Sequence, residues 1–214
     1  MAITWSKLVT IGASAAMLGL GVARADDIDA GTRAAAERVA VVICANCHGP
    51  RGHSYSPKFP ILADQHANYL ASQMQAFKAQ TRGDPDAIGY MWGMAQPLDD
   101  ALVAGLADYY SQQSPLPGPA GDPTLTARGK TIYQQGDSLE GIPACAACHG
   151  PDAAGTDNFP RLAGQHVQYL MKQLRSFQNN MRNVAVMHGV ATGLRRADMA
   201  VSYTHLTLPT IYSV

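Results

Sequence analysis

Cys44-Ala45-Asn46-Cys47-His48 and Cys145-Ala146-Ala147-Cys148-His149 hold all four cysteines of the chain. Two thiols three positions apart, followed at once by an imidazole, form the C-x-x-C-H arrangement of covalent haem c attachment. The spacing has a chemical reason: the thiols add to the two vinyl groups of one porphyrin, and the adjacent imidazole is then held beneath the iron as proximal ligand. No thiol is left over for a disulfide. A thioredoxin-like pair would need a single C-x-x-C in a βαβ setting, and structural zinc would need two pairs converging on one tetrahedron. Each pair here has its own histidine. The sequence therefore predicts two covalently bound haem c groups (iron), one held by Cys44, Cys47 and His48 and one by Cys145, Cys148 and His149.

The residues downstream repeat as well. Phe59-Pro60-Ile61-Leu62-Ala63-Asp64-Gln65-His66 returns as Phe159-Pro160-Arg161-Leu162-Ala163-Gly164-Gln165-His166, and the match continues from Tyr69-Leu70, Gln73 and Phe77 to Tyr169-Leu170, Gln173 and Phe177. A repeat of this kind reads as two homologous haem-binding halves in tandem. Between them the prolines of 114–123 rule out a continuous helix and suit a semi-extended linker. Within each half the pattern is helical. An Ala-rich segment from about Thr32 to Ile43 leads into the first motif, and Thr126 to Gln134 leads less directly into the second. The Tyr/Leu/Gln/Phe positions fall on one amphipathic helix per half. A closing helix in the first half has Asp99 or Asp100 as N-cap, with Leu102, Leu106, Tyr109 and Tyr110 on one stripe. No segment alternates like a strand, so the expected fold class is all-α, with two tandem domains related by internal duplication.

Residues 1–25 read as a secretory signal, with Lys7, an apolar run from Leu8 to Val22 and an Ala23-Arg24-Ala25 cleavage site. The run is shorter than the roughly 20 apolar residues of a spanning helix. The expectation is a soluble periplasmic protein without stable membrane insertion. The precursor has 16 basic and 16 acidic residues, and loss of Lys7 and Arg24 leaves a formal charge of −2, with no basic patch for nucleic acid. The domain reading is a signal at 1–25, an N-terminal haem domain at 26–113, a Pro/Gly-rich linker at 114–123, a C-terminal haem domain at 124–200 and a non-native tail at 201–214.

The second axial position decides between carrier and catalyst, because a methionine fills the site and raises the potential whereas an open position admits substrate. Tyr90-Met91-Trp92-Gly93 aligns with Val186-Met187-His188-Gly189, with Leu98 and Leu194 closing both segments. Met91 and Met187 are thus in register, and Met94 meets Val190. Met74 and Met171 read as core filler, and Met181 stays open for the second haem. His66 and His166 are equivalent, so a bis-histidine arrangement is conceivable, although their place at the start of the amphipathic helices suits a surface or propionate-side role. His188 would need a local rotation to replace Met187, and His53 has no counterpart.

In its two C-x-x-C-H motifs, its F-P-x-L-A segments, Y-L-x-x-Q and M-x-G, the chain resembles the cytochrome c4 family of periplasmic dihaem cytochromes from about Ala30 to Ala200. The resemblance implies two class I cytochrome c folds facing each other across a pseudo-twofold axis. It also implies axial pairs His48 with Met91 and His149 with Met187, and electron transfer to a terminal haem-copper oxidase or a similar acceptor. Asp64, where the second half has Gly164, should alter a turn. Residues 201–214 resemble the translation of a transposon-end sequencing adapter and read as foreign sequence in place of the second closing helix.

The main functional expectation is an electron carrier and not an enzyme, serving redox partner proteins: a quinol-oxidising complex or other donor, and an oxidase or other acceptor. The alternative is a dihaem oxidoreductase or its cytochrome subunit, such as a peroxidase, thiosulfate dehydrogenase or alcohol dehydrogenase. A haem-based gas sensor would need a labile site and an output module, and the sequence contains no such module.

Overall fold

The computed structural model describes residues 28–116, 123–156, 158–195 and 197–199. The signal reading, most of the linker and the 201–214 tail lie outside the described residues.

In the first half, α1 (Ala30–Val39) starts where Asp29 accepts hydrogen bonds from the Gly31 and Thr32 amides, satisfying two otherwise orphaned donors. It runs through a wide π turn, Ala40–Cys44, into α2 (Ala45–His48), so that one nearly continuous helix delivers the first motif. There follow α3 (Ala67–Lys78), a second π turn at Ala87–Met91, α4 (Trp92–Ala95) and α5 (Asp100–Ser111). Asp99 is the N-cap of α5, its side chain accepting from the Leu102 amide at 2.8 Å. The buried stripe of α5 is Val103, Leu106, Ala107 and Tyr110, one position off the expected one at Leu102. α1 crosses α5 at Ala36 and Gly105, where an added Cβ on Gly105 would stand 2.8 Å from that of Ala36.

The second half repeats the plan with α6 (Pro123–Gln135), α7 (Ala146–His149), α8 (Val167–Gln178) and α9 (Ala185–Gly193). Here the entry helix stops short, and a turn closed by reciprocal Asp137 and Ile142 backbone bonds (2.9 and 2.8 Å) intervenes before Cys145. Its core is continuous: Tyr133, Leu162, Leu170, Leu174, Phe177, Leu194 and Met199 pack together. Among the described residues there is no strand, only isolated bridges.

The halves meet through polar, reciprocal contacts, the pattern of a twofold interface. Arg82 and Arg182, 7% and 5% exposed, bridge each other's backbones. Each guanidinium stacks on the phenylalanine of its own half, Phe77 at 4.7 Å and Phe177 at 4.3 Å. Arg82 then reaches Tyr169 and Gln173 across the boundary, and Arg182 reaches Tyr69 and Gln73. The arginine charges hold the buried Tyr69 phenol below its usual range although burial alone would raise it. His66 Nε2 donates to the Ala154 carbonyl at 2.8 Å and His166 Nε2 to that of Ser54 at 2.9 Å. These two histidines are therefore interdomain donors, where sequence suggested a surface or propionate-side role.

Asp64 corrects another expectation. It keeps the turn of Gly164, with φ +59° against +74°, and the same 3.2 Å bond three residues back from Gln65 or Gln165. What differs is its carboxylate, which pairs with Arg161 of the other half at 3.0 Å.

Candidate haem-binding sites

Each C-x-x-C-H motif ends a helical turn with its histidine pointing inward. His48 and His149 are 8% and 7% exposed, while Cys47 and Cys148 lie at the surface and Cys44 and Cys145 are half-buried. Gly49, at φ +72°, turns the chain directly after His48; a Cβ there would come within 2.2 Å of the His53 carbonyl oxygen. Gly150 turns it after His149 at φ +77°. The chain then returns along Phe59-Pro60 or Phe159-Pro160, pinned by Leu62 to Gly52 and by Leu162 to Ala153, both at 2.9 Å.

That return segment fixes the imidazoles. His48 Nδ1 lies 2.9 Å from the Pro60 carbonyl oxygen and His149 Nδ1 3.0 Å from that of Pro160. A carbonyl can only accept, so each Nδ1 carries the proton and each Nε2 presents a lone pair. Phe59 and Phe159 stand edge-on to these rings at centroid distances of 6.2 Å. Burial pushes both histidines below their ordinary value, with the proline carbonyls partly opposing it. A neutral imidazole with a fixed tautomer is the form that binds a metal. Two free thiols beside such an imidazole, built twice with the same hydrogen bond, fit haem c on the chemistry of the donor set.

The methionines separate by exposure. Met91, at the end of the second π turn, packs half-buried against Phe77, Ala87 and Ala95, and Met187 on α9 packs against the core that Cys145 also borders. Tyr90, next to Met91, is 5.7 Å from Phe59, which in turn contacts His48. Met94 and Met181 are 43% and 41% exposed. Met74 lies among the first half's core residues, as filler should. His188 Nδ1 is engaged by the Phe177 carbonyl at 2.8 Å, and His53 Nε2 by that of Ser114 at 2.7 Å.

Sequence reasoning missed Gln65 and Gln165. They looked like part of a repeated loop signature, yet each reaches the other half's proline-following residue: Gln65 to Arg161 and Gln165 to Ile61, through two bonds each. Their recurrence at one place in both repeats was the available signal.

Comparison with known proteins agrees with this geometry. The cytochrome c family model matches residues 126–207. The cytochrome c4 of Azotobacter vinelandii is 38% identical over 210 residues, 93% of this chain and 96% of that protein. A thiosulfate dehydrogenase electron acceptor of Thiomonas intermedia is 39% identical over 72% of each chain. The solved cytochrome c4 of Acidithiobacillus ferrooxidans superposes with a TM-score of 0.73 at 39% identity, covering 77% of this chain and 97% of that one. A fold of two class I cytochrome c domains, two haem motifs of matching geometry and near full-length similarity converge: the cofactors are two covalently bound haem c groups, and the chain belongs to the cytochrome c4 family of dihaem electron-transfer proteins.

Proposed function

We propose that His48 and Met91 are the axial ligands of the first haem and His149 and Met187 those of the second, with thioethers at Cys44, Cys47, Cys145 and Cys148. The observation that carries this reading is the doubled imidazole geometry, a buried neutral ring with Nδ1 tied to a proline carbonyl and Nε2 presented. Haem c supplies reversible one-electron iron chemistry. The chain's residues do the rest: Pro60 and Pro160 orient the imidazoles, and the half-buried thioethers of Met91 and Met187 offer soft donors.

The protein on this reading is a periplasmic carrier without a chemical substrate, organised as a signal at 1–25, haem domains at 26–113 and 124–200, and a linker between. Its acceptor is a terminal oxidase or a similar acceptor. The similarity to a thiosulfate dehydrogenase electron acceptor favours a second donor class, a thiosulfate-oxidising enzyme, over the reading in which this chain is itself the enzyme. Optical spectra of both redox states test the assignment. Two low-spin irons, each with the weak sulfur-to-iron(III) charge-transfer band in the far red, are expected; a high-spin component that binds carbon monoxide in the untreated protein would overturn it.

A further inference from the structure

The peptide bond between Pro60 and Ile61 carries contacts from two different halves of the molecule. Its carbonyl accepts from His48 Nδ1 at 2.9 Å, and its N–H donates to Gln165 Oε1 at 2.9 Å. Gln165 Nε2 closes a ring by donating to Ile61 O at 2.8 Å. The mirror arrangement joins His149, the Pro160–Arg161 peptide and Gln65, at 3.0, 2.8 and 2.9 Å. Both glutamines are held: they are 6% and 7% exposed, and each Oε1 also accepts from the following histidine amide at 3.1 Å.

Hydrogen bonds in series polarise one another, so a peptide whose N–H is engaged is a stronger acceptor at its carbonyl. A ligating imidazole that donates its second N–H to a stronger acceptor is more basic, and such outer partners tune the metal. We propose that Gln165 is a positioning residue for the haem of the first half and Gln65 for the haem of the second, so that each half sets the proximal-ligand strength of the other's iron. This rests on His48 and His149 being the proximal ligands. The sign follows from the chemistry. A more electron-donating imidazole favours Fe(III), so removing the glutamine weakens the carbonyl as acceptor, makes the imidazole a poorer donor and moves the couple toward Fe(II). Interface glue alone would have a different signature, since loosening the boundary disturbs both halves alike.

The test is redox titration of the dihaem holoprotein carrying Gln165→Leu, Gln65→Leu or Gln165→Glu, with the two haems distinguished by NMR of their hyperfine-shifted resonances. Gln165→Leu is expected to raise the first haem's midpoint, by up to about tenfold in the reduction equilibrium or ~59 mV for one electron, and to leave the second within error. Gln65→Leu should do the converse. Gln165→Glu gives up the Nε2 donor to Ile61 O but keeps the acceptor for the Ile61 amide and strengthens it by its charge, so it should lower the first midpoint, which preserves the test if the leucine variant does not fold. Equal shifts in both haems, a shift in the haem of the substituted half, or no shift would overturn the proposal. The same spectra separate it from its foundation: absence of hyperfine-shifted His48 and His149 ring signals sinks the ligand reading, whereas their presence beside unmoved midpoints sinks only the tuning across the boundary.

Discussion

Met187 borders the same packed core as Cys145 and Ala146 of the second motif, and Met91 follows Tyr90, whose ring meets the Phe59 that contacts His48, while Met94 and Met181 are exposed. Methionine sulfur stabilises Fe(II) and occupies the sixth position. Met91→Ala should therefore lower the midpoint of the first haem and admit carbon monoxide to that iron alone, with Met187→Ala doing so in the second half; the same behaviour from Met94→Ala would refute the assignment. A second residue-scale prediction concerns His166, whose ring burial holds below its ordinary value of 6.5, partly opposed by the Ser54 carbonyl. A ring whose folded value is depressed binds fewer protons than in the unfolded chain, so its contribution is complete above that ordinary value and is lost as pH falls below it. Thermal midpoints between about pH 7.5 and about pH 5 should fall less steeply in His166→Gln, whose amide nitrogen takes the place of Nε2 as donor to Ser54 but does not titrate; parallel curves would exclude the effect.

The α1/α5 crossing is the place where element packing is tightest. Gly105 meets Ala36 Cβ at 2.8 Å and Thr32 Cγ2 at 3.3 Å in the space where its own Cβ would be. Gly105→Ala should cost about 1–3 kcal/mol by overpacking, although alanine is the better helix former, and a lower calorimetric midpoint of the unfolding transition would show it. Asp99→Ala removes the α5 cap and should cost about 1 kcal/mol. The helices themselves were legible: apolar periodicity and caps located α3, α5 and α8. The π turns at Ala40–Cys44 and Ala87–Met91 were not, because widening by one residue leaves composition unchanged and only tertiary contacts decide it. The motif cysteines and histidines were readable because their spacing is itself the chemistry. Tyr69, Gln73 and their repeats were seen as a helix face but not as a boundary, since periodicity marks the side that is covered without saying what covers it.

At the scale of the whole molecule the two buried arginines hold the halves together. Arg182 supplies hydrogen bonds to Gln173, Tyr69 and Gln73 at 2.8, 3.2 and 2.7 Å. Arg182→Leu takes the donor away from these buried and half-buried polar groups, and a buried polar group left unsatisfied costs about 1–3 kcal/mol. The expected result is a single unfolding transition across both halves in the parent protein and two transitions in this variant. A single transition shifted as a whole would mean the halves cohere through the remaining contacts.

The ion pairs across the boundary have a direction that the reciprocal contacts lack. Asp64 pairs with Arg161, and Asp86 with Lys172, so in both of these pairs among the described residues the carboxylate comes from the first half and the cation from the second. Their repeat positions are uncharged: Ile61 stands for Arg161, Gly164 for Asp64 and Ser72 for Lys172. Asp84 and Asp86 lie where the first half takes nine residues from its arginine to its methionine and the second takes five. The duplicated halves thus carry different addresses. A chain made by fusing two first halves would keep the arginine ladder yet have acid facing neutral ground at each of these places, and two chains exchanging halves would match only if both gave and received.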